Sequence, residues 1–154
     1  MNYSIYTDSE LRFMMSDIRR ELKKRKKSDS VTKIPYKPGG RVRNWNIYVL
    51  LLSGEKYYVG VTAQKVNQRF QQHLDGTGAK WTRQHKPLGI VESYSIGRMS
   101  ESEAVKIETN KTMQVIAVHG TDRVRGGSLV RLDQAKMERT YQKLLKIHNA
   151  SKAS

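Results

Sequence analysis

A chain of 154 residues has the length of one domain with a short extension, enough to bury a core. It carries 29 Lys+Arg against 14 Asp+Glu, a formal net charge of +15, and no cysteine. The charge favours a polyanionic partner, and the absence of cysteine excludes a disulfide framework and any thiolate metal centre. No apolar run approaches the roughly 20 residues that cross a bilayer, and the opening MNYSIYTDSE lacks a signal-peptide pattern. The expectation is a soluble, cytoplasmic protein that works on nucleic acid and not on a membrane.

In chain order, residues 8–27 read as a helix, with Asp8 or Ser9 to cap it and Leu11, Met14 or Met15, Ile18 and Leu22 at helical spacing. Lys23, Lys24, Arg25, Lys26 and Lys27 end it with positive charge, which suits the helix dipole. SDSVTKIPYKPGGRVRN, with two prolines and Gly39-Gly40, reads as a basic linker. NIYVLLLSGEKYYVGVT (46–62) reads as two strands around a tight turn, with Tyr48 on the first and Tyr58 on the second. Ala63 to Leu74 reads as a helix. Val66, Phe70 and Leu74 form its expected buried stripe, and Arg69 and His73 share a neighbouring face.

A loop, AKWTRQHKP, leads to a third strand at 89–96. Ser100 with Glu103 makes a capping box that opens a helix over 101–118. Ala104, Ile107, Met113 or Thr112, and Ile116 give that helix an apolar face, and Gly120 follows as a C-terminal cap. TDRVRGGSLV reads as a glycine-broken connection, and 129–149 as a last helix of partial periodicity through Leu132, Ala135 or Lys136, Arg139, Leu144 and Ile147. The fold class is therefore α+β: a small mixed three-stranded sheet flanked by helices, with N- and C-terminal helical extensions. The segments are a basic helix (1–28), a linker (29–44), a central domain (45–130) and a basic C-terminal helix and tail (131–154). Residues 1–44 carry net +7, 45–120 net +3 and 121–154 net +5, so the flanks are the more basic parts. They can grip a phosphate backbone.

Asn46-Ile47-Tyr48 and, ten residues on, Tyr58-Val59-Gly60 resemble the paired tripeptides of the GIY-YIG nuclease superfamily. The elements that follow match its order: Arg69 with His73 on the next helix, then Gly76-Thr77-Gly78-Ala79-Lys80-Trp81-Thr82-Arg83 before the third strand. Glu103-Ala104-Val105-Lys106-Ile107-Glu108 comes on the helix after that, and Val124-Arg125-Gly126-Gly127 resembles a loop of some phage and bacterial branches. The resemblance spans about 45 to 130. Asn46 replaces the opening glycine, and Asp122-Arg123 stand where the family usually has an asparagine.

The resemblance implies a Mg²⁺- or Mn²⁺-dependent DNA endonuclease, of a homing or mobile-element kind from bacteria or phage, acting on double-stranded DNA in a bacterial cytoplasm or nucleoid. It implies Glu108 as the metal ligand, Arg69 as the fork on a phosphate oxygen, and Tyr48 as general base. Tyr58 would orient water or phosphate, and His73 would assist as a hydrogen-bond partner. Glycine at position 60 would let backbone and ligand approach closely. Lys23, Lys24, Arg25, Lys26, Lys27, Arg41, Arg43, Lys80, Arg83 and Arg125 are the candidate phosphate contacts, which position a protein without reading bases.

Each residue has an ordinary reading too. Tyrosines are common in strands, Arg69 and His73 can be a solvated helix face, and Glu108 can pair with Lys111. Singly these readings are the commoner ones. They do not explain five residues in one order on the expected elements. A degenerate copy, a non-catalytic basic adaptor on the same fold, is the second class of function. A ribosomal-type RNA-packing protein explains the charge alone.

Overall fold

The computed structural model describes residues 41–153, which lie within one compact unit, Gly40–Ser154. The expected N-terminal helix, most of the linker and Lys23 to Lys27 lie outside the described residues.

The elements are β1 (Arg43–Leu52), β2 (Lys56–Thr62), α1 (Val66–Leu74), α2 (Lys80–Gln84), β3 (Pro87–Met99), α3 (Glu101–His119), β4 (Val124–Gly126) and α4 (Gln134–Ala153). Among the described residues the sheet has four strands in the order β3-β1-β2-β4, not three. β1 is antiparallel to both neighbours, and β4 runs parallel to β2, pairing Tyr58 with Arg125 and Val59 with Gly126. β4 has three residues and pairs with β2, distant in sequence, so no local pattern announces it. α2 forms within the stretch expected as loop. Its Trp81 indole donates to the Tyr57 carbonyl at 3.0 Å, which ties it to β2.

The long apolar run of β1 follows from burial on both faces. Ile47 and Val49 join Val59, Val115, Ile116, Val124, Leu129 and Met137 on the side covered by α3 and α4. Tyr48, Leu50 and Leu52 join Tyr58 and Trp81 on the side covered by α1 and α2. Each such aliphatic side chain contributes about 1.5–3 kcal/mol when fully buried. Strand alternation thus puts both tyrosines on one face.

Two helices sit in a different rotation from the expected one. On α1, Val66 and Phe70 pack on the core while Leu74 is exposed and His73 is buried. At 100° per residue, a face centred between Val66 and Phe70 includes His73 and leaves Leu74 at its rim. α4 starts at Gln134, after Asp133 accepts the Lys136 amide at 2.8 Å. Its inward residues are Met137, Tyr141 and Leu144, whereas Leu132 and Ile147 are exposed. This packing makes α4 part of the compact unit.

Candidate active site

Tyr48 stands opposite Gly60 in the β1–β2 ladder and opposite Ser93 in β1–β3. Its ring lies across Gly60: a Cβ there would meet the Tyr48 hydroxyl oxygen at 2.3 Å and Cζ at 2.4 Å. The glycine of the second tripeptide therefore makes room for the tyrosine of the first. Beside the expected role, room for a ligand, stands an intramolecular one.

The Tyr48 hydroxyl is 2.9 Å from Nε2 of His73 on α1, and both side chains are buried. The Tyr58 ring centroid lies 6.4 Å from Tyr48 and 5.1 Å from His73. Arg69, one turn before His73, is half-buried and donates from Nη1 to the Gln72 amide oxygen at 2.6 Å. On α3, Glu108 is buried, and backbone amides of Gly127 and Val61 hydrogen-bond to its carboxyl. Gly127 has φ +50°, and a Cβ on it would meet Thr109 Oγ1 at 2.4 Å. Glycine at 127 is thus required both by conformation and by the close pass over α3.

The electrostatics follow from burial. Desolvation pushes the Tyr48 phenol up to about 12, opposed by a hydrogen bond from Arg69 and its charge. Tyr58 is pushed up further, by desolvation first and then by the Tyr48 and Glu108 charges. Desolvation lowers His73 to about 4, with the Arg69 charge acting the same way. Glu108 rises to about 7 because burial outweighs the Gly127 and Val61 amides and the Arg69 charge. Arg69 acts on Tyr48, Tyr58, His73 and Glu108, and Glu108 acts on both tyrosines, so the five residues form one electrostatic unit.

The other candidates are spread differently. Arg41, Arg43, Lys80 and Arg83 are exposed. Arg125 is not a surface contact: it is 1% exposed and its guanidinium lies 4.3 Å from the Trp81 ring centroid. Its nitrogens donate to the carbonyls of Thr121, Val124 and Arg131 and to the Gln134 amide oxygen. Those bonds close the 121–134 segment on itself and leave no fork for phosphate. Lys111 pairs with Glu92 of β3 at 2.9 Å, not with Glu108.

The basic C-terminal flank gathers its charge on one face of α4. Lys136, Arg139, Lys143 and Lys146 are all exposed at positions i, i+3, i+7 and i+10 of α4. At 100° per residue they form a stripe opposite Met137, Tyr141 and Leu144. The signal was present in the spacing, but the misplaced rotation of this helix hid it.

The family model for the GIY-YIG catalytic domain matches residues 44–114, the span that holds Tyr48, Tyr58, Arg69, His73 and Glu108. The chain belongs to the GIY-YIG family. Among bacterial relatives, it is 36% identical over 67 residues to a UPF0213 protein of Cupriavidus necator, covering 44% of this chain and 72% of that protein. A UPF0213 protein of Cupriavidus pinatubonensis is 42% identical over 66 residues, 43% of this chain and 70% of the relative. One from Xanthomonas campestris pv. campestris is 44% identical over 50 residues, 32% of this chain and 48% of the relative. No solved structure matches the chain. Among the described residues, no helix is long and apolar enough to cross a membrane.

Proposed function

We propose that the protein is a Mg²⁺-dependent endonuclease that hydrolyses phosphodiester bonds of double-stranded DNA, with Mn²⁺ able to substitute. The observation that carries this reading is the 2.9 Å contact between the Tyr48 hydroxyl and His73 Nε2, inside a site that also holds Arg69 and Glu108. With the phenol near 12 and the imidazole near 4, a standing phenolate–imidazolium pair lies on the order of 10 kcal/mol uphill. Tyr48 therefore serves as a base only in concert: it takes a proton from the attacking water while its own proton passes to His73 Nε2. The water oxygen bonds to phosphorus, the P–O bond to the leaving sugar oxygen breaks, and that oxygen takes a proton from solvent. To reset, Tyr48 releases the proton taken from water to solvent as His73 passes its own proton back to Tyr48. Arg69 supplies fixed positive charge to the phosphoryl oxygens, and Tyr58 orients water or phosphate.

Glu108 fits a largely hydrated divalent cation. Among the described residues no three His, Cys, Asp or Glu side chains converge on a caged metal site. A single carboxylate steadied by two amide donors suits Mg²⁺, which keeps several waters and takes one or two protein carboxylates. When bound, the cation supplies charge relief at the phosphoryl group. Arg41, Arg43, Lys80, Arg83 and the α4 stripe serve as phosphate contacts. The relatives' names carry no mobile-element or homing role, and the reading stops at the chemistry.

The test compares plasmid and oligonucleotide cleavage in Mg²⁺ by the wild type, Glu108→Ala and Tyr48→Phe, where all three bind DNA. Cleavage by the wild type alone supports the nuclease. Tight, salt-sensitive binding with no cleavage of any DNA or RNA form would leave a non-catalytic adaptor.

A further inference from the structure

Lys80 aside, the stretch Gly78-Ala79-Lys80-Trp81-Thr82 has no part in the chemistry above, yet it closes over the far side of His73. The Thr82 hydroxyl oxygen is 2.9 Å from His73 Nδ1, and both groups are buried. The same hydroxyl donates to the Ala79 carbonyl at 2.8 Å. Gly78 packs on the same ring edge, where a Cβ would lie 2.2 Å from Nδ1 and 2.8 Å from Cγ.

These contacts fix the direction of each proton. A carbonyl oxygen only accepts, so the single Thr82 hydroxyl proton goes to Ala79. The lone pair of that hydroxyl must then accept from His73, which places the imidazole proton on Nδ1. A neutral ring protonated there presents a lone pair at Nε2, and the Tyr48 hydroxyl donates to it. The chain runs Tyr48 O–H to His73, His73 N–H to Thr82, and Thr82 O–H to Ala79. The other tautomer would need Thr82 to turn its proton toward Nδ1, leaving the Ala79 carbonyl without that bond. Nε2 would then carry a proton and could not receive one from Tyr48.

We propose that Thr82 is a positioning residue that locks His73 in the Nδ1–H tautomer, with Gly78 leaving the space in which the ring takes that position. The proposal rests on the reading of His73 as the acceptor of the Tyr48 proton. Thr82 and Gly78 each act through the ring, as the partner of a triad histidine or of a metal-bound histidine does.

The test is a long-range ¹H–¹⁵N spectrum of the full chain at pH 7.5, beside DNA cleavage by the same samples, with folding checked by circular dichroism. Wild type and Thr82→Ser should show the pattern of a neutral imidazole protonated at Nδ1. Thr82→Val, of similar shape but with no hydroxyl, should shift His73 toward Nε2–H or a mixture. Its kcat should fall about 10–100-fold with KM unchanged, and Thr82→Ser should retain most of the activity. Gly78→Ala should disturb the His73 signals and lower kcat while Thr82 is intact. An Nε2–H pattern in the wild type, or an unchanged Nδ1–H pattern in Thr82→Val, overturns the proposal. A tautomer shift in Thr82→Val together with an inactive wild type upholds the lock and removes only the nuclease reading.

Discussion

Replacing Gly60 with alanine separates two explanations of the second tripeptide. Gly60 has no left-handed φ, so its backbone accepts alanine and only the added methyl matters. That methyl would sit 2.3 Å from the Tyr48 hydroxyl oxygen and 2.4 Å from Cζ, where carbon and oxygen normally approach no closer than about 3.4 Å. The Tyr48 ring must therefore move by about 1 Å, against Tyr58 and His73 beside it. Overpacking of this kind costs about 1–3 kcal/mol, or a fall in Tm of about 4 °C per kcal/mol for a domain of this size. A misplacement near 1 Å at a base lowers kcat about 100-fold. Thermal melts and single-turnover cleavage at saturating DNA measure both effects. If Gly60 instead clears a path for ligand, alanine should weaken DNA binding and leave Tm unchanged. That result would refute the packing argument.

Four further outcomes follow from the geometry. Lys111→Met should destabilise by about 3–5 kcal/mol because it strands the Glu92 carboxylate, while Lys111→Met with Glu92→Leu should recover most of the loss in urea melts. A double variant no better than the single one would mean that the ion pair does not dominate there. Arg125→Gln should cost about 3 kcal/mol or more, since several carbonyls lose their donor. The salt dependence of DNA binding should stay as in the wild type, and a shallower slope with unchanged Tm would return Arg125 to the DNA surface. Neutralising Lys136, Arg139, Lys143 and Lys146 together should flatten log K against log salt, by about 0.9 for each lost phosphate contact. An unchanged slope would remove α4 from the interface. The fourth outcome concerns pH. His73 titrates near 4 when folded, below its ordinary 6.5, so unfolded chains take up its proton first as pH falls. Relative to His73→Gln, the wild type should hold its full stability above pH 6.5 and lose about 3 kcal/mol by pH 4. Glu108, raised to about 7, gains stability over an overlapping range as pH falls, so the comparison must be the difference between the two proteins.

The parts legible in the sequence were those encoded locally. The β1–β2 hairpin shows in its apolar run, and the start of α3 shows in its capping box, where the Ser100 amide donates to Glu103 at 2.9 Å. Tyr48, Tyr58, Arg69, His73 and Glu108 could be singled out together because their order along the chain survives any error in helix rotation. What escaped depends on distant partners. β4 exists because Gly126 allows it to pass Val59 and Thr112, where a Cβ would meet the Val59 carbonyl oxygen at 2.5 Å. Read locally, Val124-Arg125-Gly126-Gly127 looks like a turn. Arg125 looked like a phosphate contact because its type and neighbours favour the surface, and only the fold surrounds it with carbonyls.

α3 shows why hydrophobic periodicity fails at this site. Its buried residues include Glu108, Thr109, Lys111 and Thr112 beside Ala104, Val115 and Ile116, so an apolar stripe describes only part of the inward face. Burying that many polar groups would destabilise the fold if they were left unpaired, and each has a partner. Thr109 and Thr112 donate back to the Val105 and Glu108 carbonyls, Lys111 meets Glu92, and the Glu108 carboxyl takes the Gly127 and Val61 amides. A helix chosen for packing alone would place aliphatic residues at these positions. The polar set instead holds a carboxylate out of bulk water beside Tyr48, Tyr58 and Arg69, at a cost met by β4, β3 and the glycine pair at 126–127. The unexpected strand and the unexpected rotation thus have one cause: each supplies a hydrogen-bond partner or a clear space to a buried polar side chain of the site.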